Sequence, residues 1–490
     1  MRTTGMLVID QGTTNSKALL VSADGHLLAR VSQALAPIAT PQPGWFEQDG
    51  ENLWQATMMA AANCLAKAAD VSLAGLAITN QRESVIAWRR STGQPLSPVL
   101  GWQDARTASL CDDLQGSAEL IHQTSGLRLD PMFSAPKIAW LLGQLDSLDD
   151  VCIGTIDAYL VARLTGLALT EAGNASRTLL FDLRQLAWSA PLLDVFGLPI
   201  SVLPQVMASN AGFGTVRHGS PIASGVPVVA IMGDSHSALY RYSLTSPGAA
   251  KVTYGTGSSV MTSVTDLKDM PQAISTTLAW LNASGQTPAT PSYAHEGNII
   301  ATGAALDAIA GLLRVDLATL TSMAKTAQGQ PSLTYVPAFS GLAAPYWDRS
   351  AVGALIGLSR NSTPAQMAQA GFDAVAQQVC DVIDAMADAG DSVNAVFADG
   401  GGSVNPDLMQ LQADLLGVPV AVTGIAEASA MGVAQLAWQT VEPTTDLFEA
   451  PTPSTYHPQR DDVWRQAARD RWANAVARCR GGGEITGSQS

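Results

Sequence analysis

The stretch VIDQGTTNSK, Val8 to Lys17, follows an apolar run and ends on a single cation. Its one glycine rules out a G-x-G-x-x-G dinucleotide fingerprint, and it contains no G-x-x-x-x-G-K-[ST] P-loop. Two readings remain. A hairpin tip can offer backbone N–H groups and the Thr13 and Thr14 hydroxyls to phosphate oxygens, with Lys17 as a compact positive charge and Asp10 as a carboxylate for a hydrated Mg²⁺. The same residues also make an ordinary solvated turn, because Gly and Thr are common there. In isolation the stretch favours the turn, so its surroundings must decide.

Working outward, MLVID, SKALLVS and HLLARVSQA are separated by QGTTN and by the Asp-Gly of SADGH, which predicts an antiparallel meander. GENLWQATMMAAANCLAKAAD then places Leu53, Met58, Cys64 and Leu65 near helical spacing, and LAGLAITN reads as a strand. A second unit of similar kind follows SLTSPGAA. There KVTYGTGSSVMTSV and ISTTLAWL read as strands, YAHEGNIIATGAALDAIAGLL passes from strand to helix, and VNAVFADGGGSVNPDLMQLQADLLGVPVAV reads strand, Gly-rich loop, helix, strand. The architecture therefore reads as duplicated α/β, joined near 243 to 250, with no short repeat period. A chain of 490 residues also exceeds what one hydrophobic core usually supports. Two domains with a cleft between them are the expectation.

Composition narrows the function. With 47% hydrophobic and 14% charged residues the chain has ample core material. A formal net charge of -15 argues against affinity for nucleic-acid phosphates or anionic membranes. Cys64, Cys111, Cys152, Cys380 and Cys479 are scattered without C-x-x-C spacing, as expected of buried thiols in a reducing cytosol rather than a zinc site or a disulfide framework. The run Met6 to Ile9 is too short for a signal peptide, and VPVVAIM is far below membrane-spanning length, so a cytoplasmic location is expected. The ending RGGGEITGSQS reads as a fraying tail over 481–490.

Three further loops carry chemistry. In GVPVVAIMGDSHSALYR a buried strand delivers Asp234 to the start of a helix, where it can be an N-cap or a base for a substrate hydroxyl. KVTYGTGSSV sets Thr256 between two glycines, and VFADGGGSVNPDL puts three glycines ahead of a helix, where backbone can approach a ligand closely. Each has a plain structural alternative. Their order across two similar halves makes independent accident the less economical account.

Taken together with GWFEQDGENLW, ITNQRES, GWQDART, DPMFSAPKIAWLL, GTIDAYLVARLTG, NASRTLLFDL and PAFSGLAAPYWD, these blocks resemble the FGGY family of carbohydrate kinases within the actin-like ATPase superfamily, glycerol kinases most of all, from about residue 6 to about 440. The resemblance implies two ribonuclease H-like domains flanking a cleft. Residues 1–245 would be mainly substrate-binding and 246–480 mainly nucleotide-binding. It implies ATP and Mg²⁺, with Asp10 near the metal, Thr13, Thr14 and Lys17 near phosphate, and Thr256, Gly303, Asp307, Gly401 and Asn405 on positions that hold the nucleotide. Lys17 stands where the family usually has arginine, and Asp307 where glycerol kinases tend to have glutamine. The catalytic base falls on Asp234.

On the acceptor side the match splits. Arg82, Glu83 and Trp102 keep positions that hold glycerol in glycerol kinases; without the family, Arg82 and Glu83 would read as a solvated ion pair and Trp102 as core. Met132 replaces a tyrosine, Ser235 a glutamine and Ser259 a phenylalanine. A pocket altered in this way should be roomier and richer in small hydroxyls, which suits a polyol or ketose of four or five carbons, with glycerol itself as the nearest alternative. His236 either adds a polar contact there or packs inside, while His295 reads as structural. The chain has PIASGVPVV where many glycerol kinases carry a regulatory Gly-Gly-x-Arg loop, so that regulation is not expected. The expected partners are a small polyol or sugar and further copies of the chain in a dimer or tetramer. A more distant alternative is an actin-like ATPase switch without a sugar substrate.

Overall fold

Strands Thr4–Gln11 and Asn15–Val21 form the antiparallel hairpin expected around VIDQGTTNSK, with Asp10 opposite Lys17. The computed structural model describes residues 3–264, 266, 267, 270–283, 289–327, 333–424, 427–449 and 452–480. The expected tail, 481–490, lies outside the described residues. Met6 to Ile9 are buried without a break, as a strand covered on both faces requires. Thr4–Gln11 also pairs in parallel with Ser72–Asn80, which pairs in parallel with Val228–Gly233, while Leu27–Ala34 completes the other edge. Both parallel neighbours are reached through crossovers that include helices. One of these, Gly50–Lys67, starts on the Asp49 side chain, which accepts from Asn52 N at 2.8 Å, and buries Leu53, Met58 and Cys64.

A second sheet repeats this hairpin and its two parallel neighbours, with Ser275–Asn282 added at one edge and Ser454–Tyr456 at the other. Ala249–Tyr254 pairs antiparallel with Ser258–Val264 and parallel with Ala395–Asp399, which pairs parallel with Val420–Val422; Thr290–Ile299 lies beyond Ser258–Val264. In both sheets the first strand of the hairpin is central. In the first sheet the third strand, Leu27–Ala34, flanks the hairpin; in the second Thr290–Ile299 does, with Ser275–Asn282, which precedes it in the chain, at the outer edge, and in both two later parallel strands lie on the other side.

Contacts divide the chain into two compact units, one of Met1–Thr245, Val264–Ala294 and Ala426–Glu449, the other of Ser246–Ser263, His295–Ile425 and Ala450–Ser490. A single cut at 245 is therefore not how the contacts divide. Helix Ala428–Val441 packs on helix Asp234–Ser243 and on strand Ser72–Asn80 of the first unit. Gly432 permits this approach, since a Cβ there would lie 1.9 Å from Ser237 O. All five cysteines are buried and free. Among the described residues no helix is long and apolar enough to cross a membrane.

Candidate active site

The hairpin tip closes through Gly12 N donating to Asn15 O at 2.9 Å, which leaves Thr13 and Thr14 as its two apical residues. Thr14 is exposed. Thr13 is tied down: its carbonyl accepts from Gln48 Nε2 at 2.8 Å, its hydroxyl accepts from Trp102 Nε1 at 3.2 Å, and it donates to Gln81 Oε1 at 3.4 Å. Asp10 ends its strand beside this tip, with Oδ2 3.3 Å from Lys17 Nζ. Lys17 Nζ also donates to Glu427 Oε2 at 2.7 Å, and Arg30 pairs with the other oxygen of Glu427. Burial, reinforced by the negative charges of Asp234 and Glu427 and opposed by Lys17, pushes the Asp10 carboxyl up to about 6. Burial alone would lower the Lys17 ammonium, but Asp10 and Glu427 outweigh it and hold it above its ordinary value. A desolvated carboxylate crowded by like charge is suited to gain from a divalent cation.

Strand Val228–Gly233 runs directly into helix Asp234–Ser243. Asp234 is the first helical residue and Gly233 the N-cap, so the alternative of Asp234 as N-cap does not hold. Its side chain is 40% exposed, with Oδ1 accepting from Ser235 N at 2.6 Å and lying 3.3 Å from Arg82 Nε. Arg82 is only 7% exposed, and its Nη1 lies 3.3 Å from Nε2 of the fully buried His236. His236 thus packs inside, against Arg82. Ser235 is half-buried.

Arg82 and Glu83 do not form a solvated pair; each is buried with its own partner. Glu83 has φ 62° and accepts from Nε of the buried Arg177 at 2.6 Å. A positive φ at a non-glycine residue beside a buried ion pair is the kind of strain that clusters at functional positions. Trp102 is 38% exposed rather than core, and its backbone N–H donates to Ser84 Oγ at 3.0 Å. Met132 is half-buried, and its carbonyl accepts from Lys137 Nζ at 2.5 Å. In the first unit these residues fall into three groups of contacts, Asp10 with Lys17, Thr13 with Trp102 and Arg82 with Asp234, and the charge of Asp234 is felt at Asp10.

In the second unit the hairpin tip bearing Thr256 is seated on the start of helix Gly303–Leu313. Thr302 N and Ala304 N donate to Thr256 O at 3.0 and 3.1 Å, and Gly303 N donates to Gly255 O at 3.0 Å. The glycine at 303 is required by this seat, since a Cβ would meet Gly255 O at 2.7 Å. The Thr256 side chain and Asp307 are exposed. Gly401 is exposed with nothing within 4 Å of a built Cβ, whereas Gly400 has φ 85° and lies against Tyr254. Asn405 caps helix Pro406–Leu416, its Oδ1 accepting from Asp407 N at 3.0 Å and Leu408 N at 3.2 Å. Ser259 donates to Oε1 of the buried Glu296 at 3.0 Å.

Sequence reasoning missed Glu427, Gln81, Arg177 and Lys137. Glu427 stands 410 positions from Lys17 and offers no local signal. Lys137 does carry one: a lone cation inside the apolar helical run SAPKIAWLL.

Family models for the N-terminal and C-terminal domains of the FGGY family of carbohydrate kinases match residues 5–240 and 250–440. The chain is 41% identical to an apulose kinase of Pectobacterium atrosepticum over 98% of this chain and 99% of that protein. It is 40% identical to a glycerol kinase of Geobacter sp. over 88% and 89% of the two chains. Among solved structures, a Plasmodium falciparum glycerol kinase with ADP superposes with a TM-score of 0.90 at 26% identity, covering 97% of this chain and 98% of that one. With both domains matched and a relative at this identity spanning nearly its whole length, the protein belongs to the FGGY family of carbohydrate kinases.

Proposed function

We propose that this kinase transfers the γ-phosphoryl group of ATP, with Mg²⁺, to a hydroxyl of a ketose or polyol of four or five carbons. The observation that carries this reading is the Arg82–Asp234 pair at the end of strand Val228–Gly233. It presents a partly exposed carboxylate on an otherwise buried floor. A base there can accept the acceptor hydroxyl's proton, while the rest of phosphoryl transfer is positioning and charge stabilisation. Asp10 would hold hydrated Mg²⁺, which neutralises phosphate charge when bound. Among the described residues no group of three or more His, Cys, Asp or Glu side chains is arranged to hold a metal, so its remaining ligands would be water and phosphate, as is usual for Mg²⁺. Thr13, Thr14 and Lys17 would meet phosphate from the first unit. Thr256, Gly303, Asp307, Gly401 and Asn405 would serve the nucleotide from the second. Lys17 would share its charge with Glu427, and Asn405 would contact nucleotide while its Oδ1 caps a helix.

Arg82, Glu83 and Trp102 would orient the acceptor. Met132, Ser235 and Ser259, smaller or less polar than the tyrosine, glutamine and phenylalanine of glycerol kinases, would leave room for a longer chain. The relative named apulose kinase supports a ketose, the one named glycerol kinase the shorter polyol. A coupled kinase assay with glycerol, erythritol, threitol, erythrulose, xylulose, ribulose and apulose separates them. The expected result is the largest kcat/KM on a four- or five-carbon acceptor. A dominant glycerol activity would overturn the enlarged-pocket reading, and ATP turnover indifferent to every acceptor would favour a nucleotide switch.

A further inference from the structure

Helix Ser134–Leu142 carries a single cation, Lys137, whose side chain is wholly buried in the first unit. Its Nζ donates to Gly101 O at 3.2 Å and to Met132 O at 2.5 Å. Gly101 immediately precedes Trp102, and Met132 is itself one of the acceptor-side residues. The start of the same helix holds the third acceptor-side segment, since Ser134 Oγ donates to Glu83 O at 3.0 Å and Ala135 N donates to Thr178 O at 2.8 Å, next to the Arg177 that grips Glu83. One turn of helix therefore joins the loops that carry Glu83, Trp102 and Met132.

Packing does not account for a lysine here. An apolar side chain of similar length would fill the same volume without desolvating a charge. What an apolar chain cannot do is bind two carbonyls of separate loops at one point. The titratable groups facing the ammonium are Glu83, Asp104, Asp130 and Cys111, and burial, partly offset by these groups, pushes Lys137 down to about 8.

We propose that Lys137 is a positioning residue for the acceptor. By pinning the carbonyls of Gly101 and Met132 to one nitrogen, it sets the spacing of Trp102 and Met132 and thereby the fit of the sugar or polyol. This rests on the acceptor assignment of those two residues. A positional error near 1 Å can cost about a hundredfold in turnover efficiency, so loosening two loops has a large reach.

The test is steady-state kinetics of Lys137→Met with the acceptor that the wild-type enzyme uses best. The acceptor KM is expected to rise about tenfold or more, while the ATP KM stays within about twofold. A folded variant with an unchanged acceptor KM, or with both KM values raised alike, overturns the proposal. Should Lys137→Met fail to fold, Lys137→Gln, which stays polar but is too short to reach both carbonyls, takes its place: its acceptor KM should rise about tenfold with the ATP KM level, and an unchanged acceptor KM overturns the proposal. If the wild type phosphorylates no polyol or ketose at all, the acceptor assignment fails and takes this role with it. Activity in the wild type with no acceptor effect in the variant removes the Lys137 role alone.

Discussion

Gly233→Ala should damage catalysis far more than folding. The N-cap glycine has φ -59° and ψ 150°, which alanine adopts without strain, so space rather than backbone conformation is what it supplies. An added Cβ would lie 2.7 Å from Arg82 Cγ and 2.8 Å from Cδ. Carbon atoms in contact prefer about 3.5–4.0 Å, so the arginine stem must retreat by roughly 1 Å. Arg82 Nε now stands 3.3 Å from Asp234 Oδ1, and Nη1 the same distance from His236 Nε2. A retreat of that size carries both contacts to the edge of hydrogen-bonding range or beyond it. The overpacking costs about 1–3 kcal/mol of stability. The misplaced guanidinium and the released Asp234 together lower kcat/KM for the acceptor by about a hundredfold. Initial-rate measurements at saturating ATP, paired with thermal unfolding, read both quantities. A folded Gly233→Ala enzyme with acceptor kcat/KM within about threefold of wild type would refute this account of how Arg82 is held.

Asp234→Asn keeps the volume and one acceptor oxygen for Ser235 N but cannot take the hydroxyl proton, so kcat should fall by about 10²–10⁴ with nucleotide binding intact, as measured by calorimetric titration of ADP. Glu83→Gln breaks a buried ion pair by removing the carboxylate that meets Arg177, and a loss of about 3–5 kcal/mol in denaturant unfolding is expected. Gly311→Ala serves as the opposite case. It lies exposed in helix Gly303–Leu313 with nothing within 4 Å of a built Cβ, so stability should rise by up to about 1 kcal/mol with unchanged kinetics.

The opening meander, the second unit of similar kind and the loops that carry Asp10, Asp234 and Gly401 are legible in the chain because their signals are local, whereas the order of strands across each sheet is not. An uninterrupted apolar run makes a strand buried on both faces, Asp-Gly makes a hairpin, and glycines before a helix make a close-approach loop. The shares of the chain that fold together are not legible in this way. Val264–Ala294 and Ala426–Glu449 join the first unit through contacts whose partners lie far away in sequence, Gly432 against Ser237 among them.

The same division runs through the site. Residue types alone identified an acid at a strand end, a cation on the facing strand and an arginine next to a glutamate, because those chemistries sit within a few residues of a turn. Only the tertiary structure decided what each charge is paired with. Lys17 meets Glu427 as well as Asp10, Arg82 meets Asp234 and His236, and Glu83 meets Arg177. Charges taken out of water must find a partner within a few ångströms in space, and that distance has no bearing on separation along the chain.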